Sequence, residues 1–120
     1  MPRKKKEDTT PLTLAELGTK YNGVLDVGSS DVFQYDRISF GIPALDKLLG
    51  GGIPKKRLTL LTGQSNAGKS YLASQVVVNV QKEGGTAVWL DSEMSWDSGW
   101  MKKCGVDTDS ILLSQPPTGE

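Results

Sequence analysis

Histidine is absent from the 120 residues and cysteine occurs once. The first absence excludes Ser-His and Cys-His catalysis and histidine-based metal sites; the second excludes an intrachain disulfide. Chemistry here must run on carboxylates, lysine, hydroxyls or a bound cofactor. Long apolar runs are missing too. None approaches the ~18 residues of a spanning helix, and no secretory-type hydrophobic segment follows the basic start, so the reading is a soluble, cytoplasmic protein with no membrane partner. What remains is ordinary: 37% hydrophobic, 23% charged, with 14 Gly and 6 Pro. That composition describes one small, turn-rich globular domain and not a coiled coil or a disulfide scaffold.

Net charge is zero, but it is unevenly spread. Residues 1–60 carry 10 Lys/Arg against 7 Asp/Glu, and residues 61–120 carry 4 against 7. Much of the basic excess is Arg3, Lys4, Lys5 and Lys6, either a solvated tail or a short contact for DNA or a partner.

Thr13 followed by Glu16 predicts a capped helix beginning at Leu14 and ending between Gly18 and Gly23. Residues 22–36 mix Gly, Ser and Asp and read as a linker, with the compact part starting at Arg37. Pro43 suits a first helical turn. Leu45, Leu48 and Leu49 are expected on one face of that helix, which Gly50-Gly51-Gly52 stops. Residues 58–61 form a β-prone run, and residues 68–83 have helical spacing, with Leu72, Val76 and Val80 on one face and Ala73 and Val77 beside them. Ala87-Val88-Trp89-Leu90 reads as a strand buried in a parallel sheet. A helix over 96–104 and a strand at Ile111-Leu112-Leu113 complete the pattern. Strand, helix, strand predicts an α/β fold with a mostly parallel sheet.

The most specific motif is Gly63-Gln64-Ser65-Asn66-Ala67-Gly68-Lys69-Ser70, a full match to G-x-x-x-x-G-K-[ST] between a predicted strand and a helix. In that P-loop (Walker A) context, Gly63 and Gly68 allow backbone angles and close approaches that let N–H groups converge on phosphate at a helix N-terminus. Lys69 neutralises the β- and γ-phosphates, and the Ser70 hydroxyl is placed to coordinate Mg2+. These eight residues and the adjoining Tyr71 are the candidate ATP-binding set. A chance glycine-rich turn before a helix is the plain alternative.

Asp91 and Glu93 follow a predicted parallel strand, and ligands sit at the carboxyl ends of such strands. Either acid can orient a water against the γ-phosphate, or both are solvated loop residues. Trp96 and Trp100, four apart, are helix-face packing or a stacking surface for a base. Cys104 reads as a small reduced apolar residue. Lys55-Lys56-Arg57 is a solvated turn or a contact for nucleic acid or a neighbouring subunit's nucleotide.

Arg37-Ile38-Ser39-Phe40-Gly41, Leu45-Asp46, the triple glycine, the 63–70 loop, Leu90-Asp91-Ser92-Glu93, Gly105-Val106-Asp107 and the 114–120 segment Ser-Gln-Pro-Pro-Thr-Gly-Glu together resemble the RecA recombinases, bacterial or phage. The resemblance covers about residues 37–120. It implies a RecA-like P-loop NTPase core, with residues 1–36 as a tail, helix and linker able to pack on a neighbouring subunit. It also implies Glu93 as the glutamate that activates water, leaving Asp91 a strand-end residue. Asp97 would accept from the adenine amine and Trp100 would stack on the base; the family more often has tyrosine there. The family partners would be single-stranded DNA and further copies in a filament. No apolar run after Glu93 ends in aspartate, since Ile111-Leu112-Leu113 ends in Ser114. The family's second Mg2+-associated aspartate and its DNA-binding loops are therefore expected outside this sequence, which leaves enzymatic turnover open. The expected function is ATP binding in homologous recombination and DNA repair. The rival expectation is a truncated, non-catalytic fragment or regulator.

Overall fold

The computed structural model describes residues 10–21, 24–25 and 28–117. The basic run at 3–6 lies outside them. The chain has mixed helix and strand content and divides into two units, residues 1–35 and 36–120.

In the first unit, helix α1 (Leu14–Lys20) opens on the capping box that the sequence predicts. The Glu16 N–H donates to Thr13 Oγ1 at 3.3 Å, and the Thr13 N–H donates back to Glu16 Oε2 at 2.8 Å. Those bonds from Thr13, its N–H first, hold the Glu16 carboxyl below its ordinary range. No α1 residue is buried. The expected linker carries one 3-10 turn, Asp31–Phe33.

The second unit begins with an antiparallel pair, β1 (Arg37–Ile38) against β2 (Ile53–Pro54), closed over helix α2 (Pro43–Leu48). Asp46 is the clip. Its carboxylate accepts from the Ser39 hydroxyl at 2.6 Å and from the Phe40 N–H at 2.8 Å, which seats the Phe40 ring in the interior at 1% exposure. Arg37 Nη1 donates to the carbonyls of Leu49 and Gly52 and so ties off the glycine turn. The apolar face expected of α2 is only partly covered: Leu45 is half-buried, whereas Leu48 and Leu49 are exposed. Asp46 and Arg37 hold this helix where a buried stripe was expected to.

The Ser39 hydroxyl, then the Phe40 N–H, depress the Asp46 carboxyl below its ordinary value. A carboxylate whose folded pKa is the lower one contributes stability that is full above about pH 4 and fades as pH falls through the folded value. In urea titrations, wild type is expected to lose stability between about pH 5 and pH 3, and Asp46→Asn to lose less over the same window. Identical acid limbs would show that the clip does not contribute.

Helix α3 (Lys69–Lys82) lies within the predicted 68–83 and is stopped by Gly84 and Gly85. The Gly84 N–H reaches Gln81 O and the Gly85 N–H reaches Val80 O, the Schellman pattern. Its most buried line is Ser74 and Val78, with Leu72, Ala73, Val76, Val77 and Val80 half-buried on either side. The expected faces are thus the flanks of the buried stripe. Ser74 tolerates complete burial because its hydroxyl donates to Tyr71 O at 2.7 Å. Asn79 Nδ2 donates to Ser39 O at 2.8 Å and joins α3 to the Asp46 clip.

Strand β3 (Ala87–Leu90) pairs in parallel with β4 (Ile111–Ser114), Ala87 opposite Ile111, and helix α4 (Ser98–Lys103) makes the crossover. The βαβ unit is therefore β3-α4-β4, the second half of the predicted strand-helix pattern, and the first half, 58–61 with 68–83 and 87–90, does not form one. The expected strand over 58–61 does not form: Leu58 and Leu60 are 98% and 82% exposed, and among the described residues no strand lies beside them. A strand exists by virtue of its ladder, and β-propensity without a partner leaves extended chain. For the same reason β3 is covered on one face only. Ala87 and Trp89 are half-buried while Val88 and Leu90 stay exposed, in place of the burial expected on both faces. Val78, Met101 and Val106 form the core, flanked by Val77, Trp89, Trp96 and Ile111.

Candidate active site

Within the second unit, a cleft of about 640 Å3 opens between the loop 63–70 and the segment after β3. Ser65, Asn66, Gly68, Lys69 and Ser70 line one side, with Tyr71 from the first turn of α3; Glu93, Ser95 and Trp100 line the other. The structure thus brings most of the predicted set together across a gap of 22 residues. It leaves Gly63, Gln64, Ala67 and Asp97 off the cleft wall.

The loop's shape follows from two left-handed residues, Asn66 at φ 62 and Gly68 at φ 92. Gly68 is the N-cap of α3 and makes no side-chain cap. The Leu72 N–H, bonded to Gly68 O, is the first to join the helical ladder, so the earlier first-turn N–H groups face outward at the positive end of the helix dipole. Gly63 has a different role from the one expected. Its φ is not positive, and an added Cβ would meet Ala67 Cβ at an ordinary 3.6 Å, so no conformational need for glycine exists at 63 here. Lys69 Nζ donates to Gly63 O at 3.0 Å and Gln64 O at 2.7 Å, folding the ammonium back over the loop.

On the facing side, Asp97 caps α4: its Oδ1 accepts from the Trp100 N–H at 3.0 Å. That cap starts α4 at Ser98, two residues after the predicted Trp96. Trp100 is thereby turned to the cleft, and Trp96 packs edge-on to Trp89 at 5.6 Å between centroids. The spacing argument left both tryptophans open between packing and stacking, and the structure divides those environments between them.

Asp91 was the residue that the sequence undervalued. It is buried at 5% exposure and accepts from Trp96 N–H, the Ser95 hydroxyl and the Gln115 amide. The Gln115 amide leads in holding its carboxyl below the ordinary range, against the upward push of burial. Its partner lies 24 residues away, beyond reach of any local pattern. Among the described residues, no three His, Cys, Asp or Glu side chains gather as a metal site, and no helix is long and apolar enough to cross a membrane.

The sequence model of the RecA N-terminal domain matches residues 11–120. The chain belongs to the RecA N-terminal domain family. It is similar to Protein RecA of Bifidobacterium breve, 39% identical over 120 residues that make up 99% of this chain and 31% of the relative. Protein RecA of Zymomonas mobilis is 37% identical over 118 residues, 96% of this chain and 33% of the relative. Protein RecA of Thioalkalivibrio sulfidiphilus is 45% identical over 93 residues, 77% of this chain and 27% of the relative. The chain spans a third or less of the length of these curated relatives. Within this RecA-family chain, the family-like residues do two kinds of work. Arg37, Ser39, Asp46 and Gly52 build the clip around β1 and β2, whereas Ser65, Asn66, Gly68, Lys69, Ser70 and Glu93 border the cleft.

Proposed function

We propose that this chain is the nucleotide-binding portion of a RecA-type protein of homologous recombination and DNA repair, acting in the cytoplasm. The observation that carries the proposal is the convergence of Lys69, Ser70, Glu93 and Trp100 on one cleft whose loop matches G-x-x-x-x-G-K-S. In this reading residues 37–120 are the beginning of a P-loop ATPase core. Residues 1–36 are a tail, helix and linker available for packing on a neighbouring copy. Single-stranded DNA and a filament of like subunits are the partners of the whole protein.

The cleft fits ATP in volume and in charge. The α3 N-terminus and the loop N–H groups meet the phosphates, with Gly63, Gln64 and Ala67 shaping the loop from behind. Lys69 exchanges its two carbonyl acceptors for phosphate oxygens, a stronger charge-assisted pairing. Ser70 Oγ would hold Mg2+ beside the phosphates, where the ion would supply charge neutralisation. Trp100 stacks on adenine beside Tyr71. Asp97 uses Oδ1 in the α4 cap, so its Oδ2 would meet the exocyclic amine. Glu93 accepts a proton from the water that attacks the γ-phosphate in line.

The test is Glu93→Gln, measured by Mg·ATP calorimetry and by phosphate release. The amide keeps the shape and loses the base, so binding is expected to persist while any turnover falls by about 100-fold or more. An unchanged hydrolysis rate would remove Glu93 from the mechanism. ATP binding with no turnover in wild type would favour the non-catalytic reading.

A further inference from the structure

Among the described residues, Asp91 is the only buried carboxylate. It stands directly after β3, where its N–H continues the ladder to Ser114 O at 2.8 Å. Its Oδ2 accepts from Trp96 N–H at 2.8 Å and from Gln115 Nε2 at 2.9 Å, and its Oδ1 accepts from the Ser95 hydroxyl at 3.3 Å. These bonds bend the chain from 91 to 96 back on itself. Met94, at the middle of the bend, sits at φ 54, a left-handed conformation that a methionine does not choose locally. The Asp91 side chain therefore holds the turn by two local bonds, to Ser95 and Trp96, and one tertiary bond, to Gln115. Glu93 and Ser95 leave this turn into the cleft, and its far end delivers Asp97, whose cap sets Trp100.

We propose that Asp91, anchored by Gln115, is a positioning residue for nucleotide binding: it holds the 91–97 turn so that Glu93 and Trp100 face the 63–70 loop. The proposal rests on the reading of this cleft as a nucleoside triphosphate site. A carboxylate suits the role because it accepts from three donors at once. An alanine at 91 would leave the Trp96 N–H, the Gln115 amide and the Ser95 hydroxyl without this acceptor. The hub lies on one side of the cleft only. It should therefore govern contacts to base and ribose, and leave untouched the phosphate contacts made by 63–70.

The experiment uses the whole chain and two calorimetric probes, Mg·ATP and Mg·tripolyphosphate, the second of which reaches only the phosphate loop. In Asp91→Ala, ATP affinity is expected to fall about tenfold, as when one stacked ring is misplaced, with tripolyphosphate affinity unchanged. Gln115→Ala, which removes a single exposed donor, is expected to show the same selective loss to a smaller degree. Asp91→Asn, whose oxygen can keep the Trp96 and Gln115 bonds while its N–H2 donates to the Ser95 hydroxyl, is expected to retain ATP affinity. Loss of both probes in parallel, or of neither, across Asp91→Ala and Gln115→Ala overturns the positioning role while leaving the site reading intact. A wild type that binds neither probe overturns the site reading and this proposal with it.

Discussion

Lys69→Ala is expected to abolish measurable Mg·ATP binding. Among the described residues, the lysine is the one side-chain cation on the cleft wall, and its Nζ already lies over the loop on Gly63 O and Gln64 O. In the bound state those donors turn to phosphate oxygens. Each charge-assisted hydrogen bond contributes about 1.5–3 kcal/mol, so losing two weakens binding by roughly 100-fold to 10,000-fold. The fold should be indifferent, because the two carbonyls that Lys69 releases belong to exposed residues that water can solvate. A thermal melt unchanged from wild type, with a flat calorimetric titration, is the expected pair of results. Equal ATP affinity in wild type and variant would detach the 63–70 loop from nucleotide binding altogether.

Gly52→Ala is expected to unfold the second unit, and here the effect is steric. A Cβ at 52 would stand 2.0 Å from Ile38 O, 2.6 Å from Ile38 C and 2.9 Å from Ser39 Cα, all of them backbone atoms. The residue also sits at φ +117, closed to ordinary side chains. Overpacking alone costs about 1–3 kcal/mol and the conformation about 1–3 more, together a large share of the 5–15 kcal/mol that holds a domain folded. Gly50 is the internal control: φ +66 with open space around an added Cβ. Gly50→Ala should therefore lose only about 1–2 kcal/mol, the left-handed penalty by itself. Urea midpoints of the two variants decide the matter, and similar midpoints would mean that the β1-β2 closure is looser than its geometry.

The contrast between these glycines marks how far a sequence can be read. Three consecutive glycines announce a stop after α2, and nothing local says that the third one packs on Ile38. Similarly, Thr13 with Glu16 specifies the α1 start, because both partners of the capping box lie within four residues. The Gly84-Gly85 stop and the strand character of Ala87-Val88-Trp89-Leu90 are legible for the same reason. The strand expected over 58–61 is the counterexample: its composition is β-prone, yet a ladder needs a neighbour, and β3 pairs with β4 instead. Helix α4 starts late because the Asp97 carboxylate, rather than apolar periodicity, decides its first turn.

For the site, the spacing of Gly63, Gly68, Lys69 and Ser70 carried its own meaning, since an eight-residue loop is a local object. The facing wall was less legible. That Glu93 and Trp100 reach the same cleft follows from a turn bent by Asp91, and Asp91 is anchored by Gln115, just past β4. The sequence by itself determined the helix caps and stops, the candidate phosphate loop and the RecA family membership, all carried by residues close together along the chain. Only the tertiary structure decided which strands pair, which acid is buried and which aromatic faces the cleft, because hydrogen bonds and burial at those places join residues that the chain holds far apart.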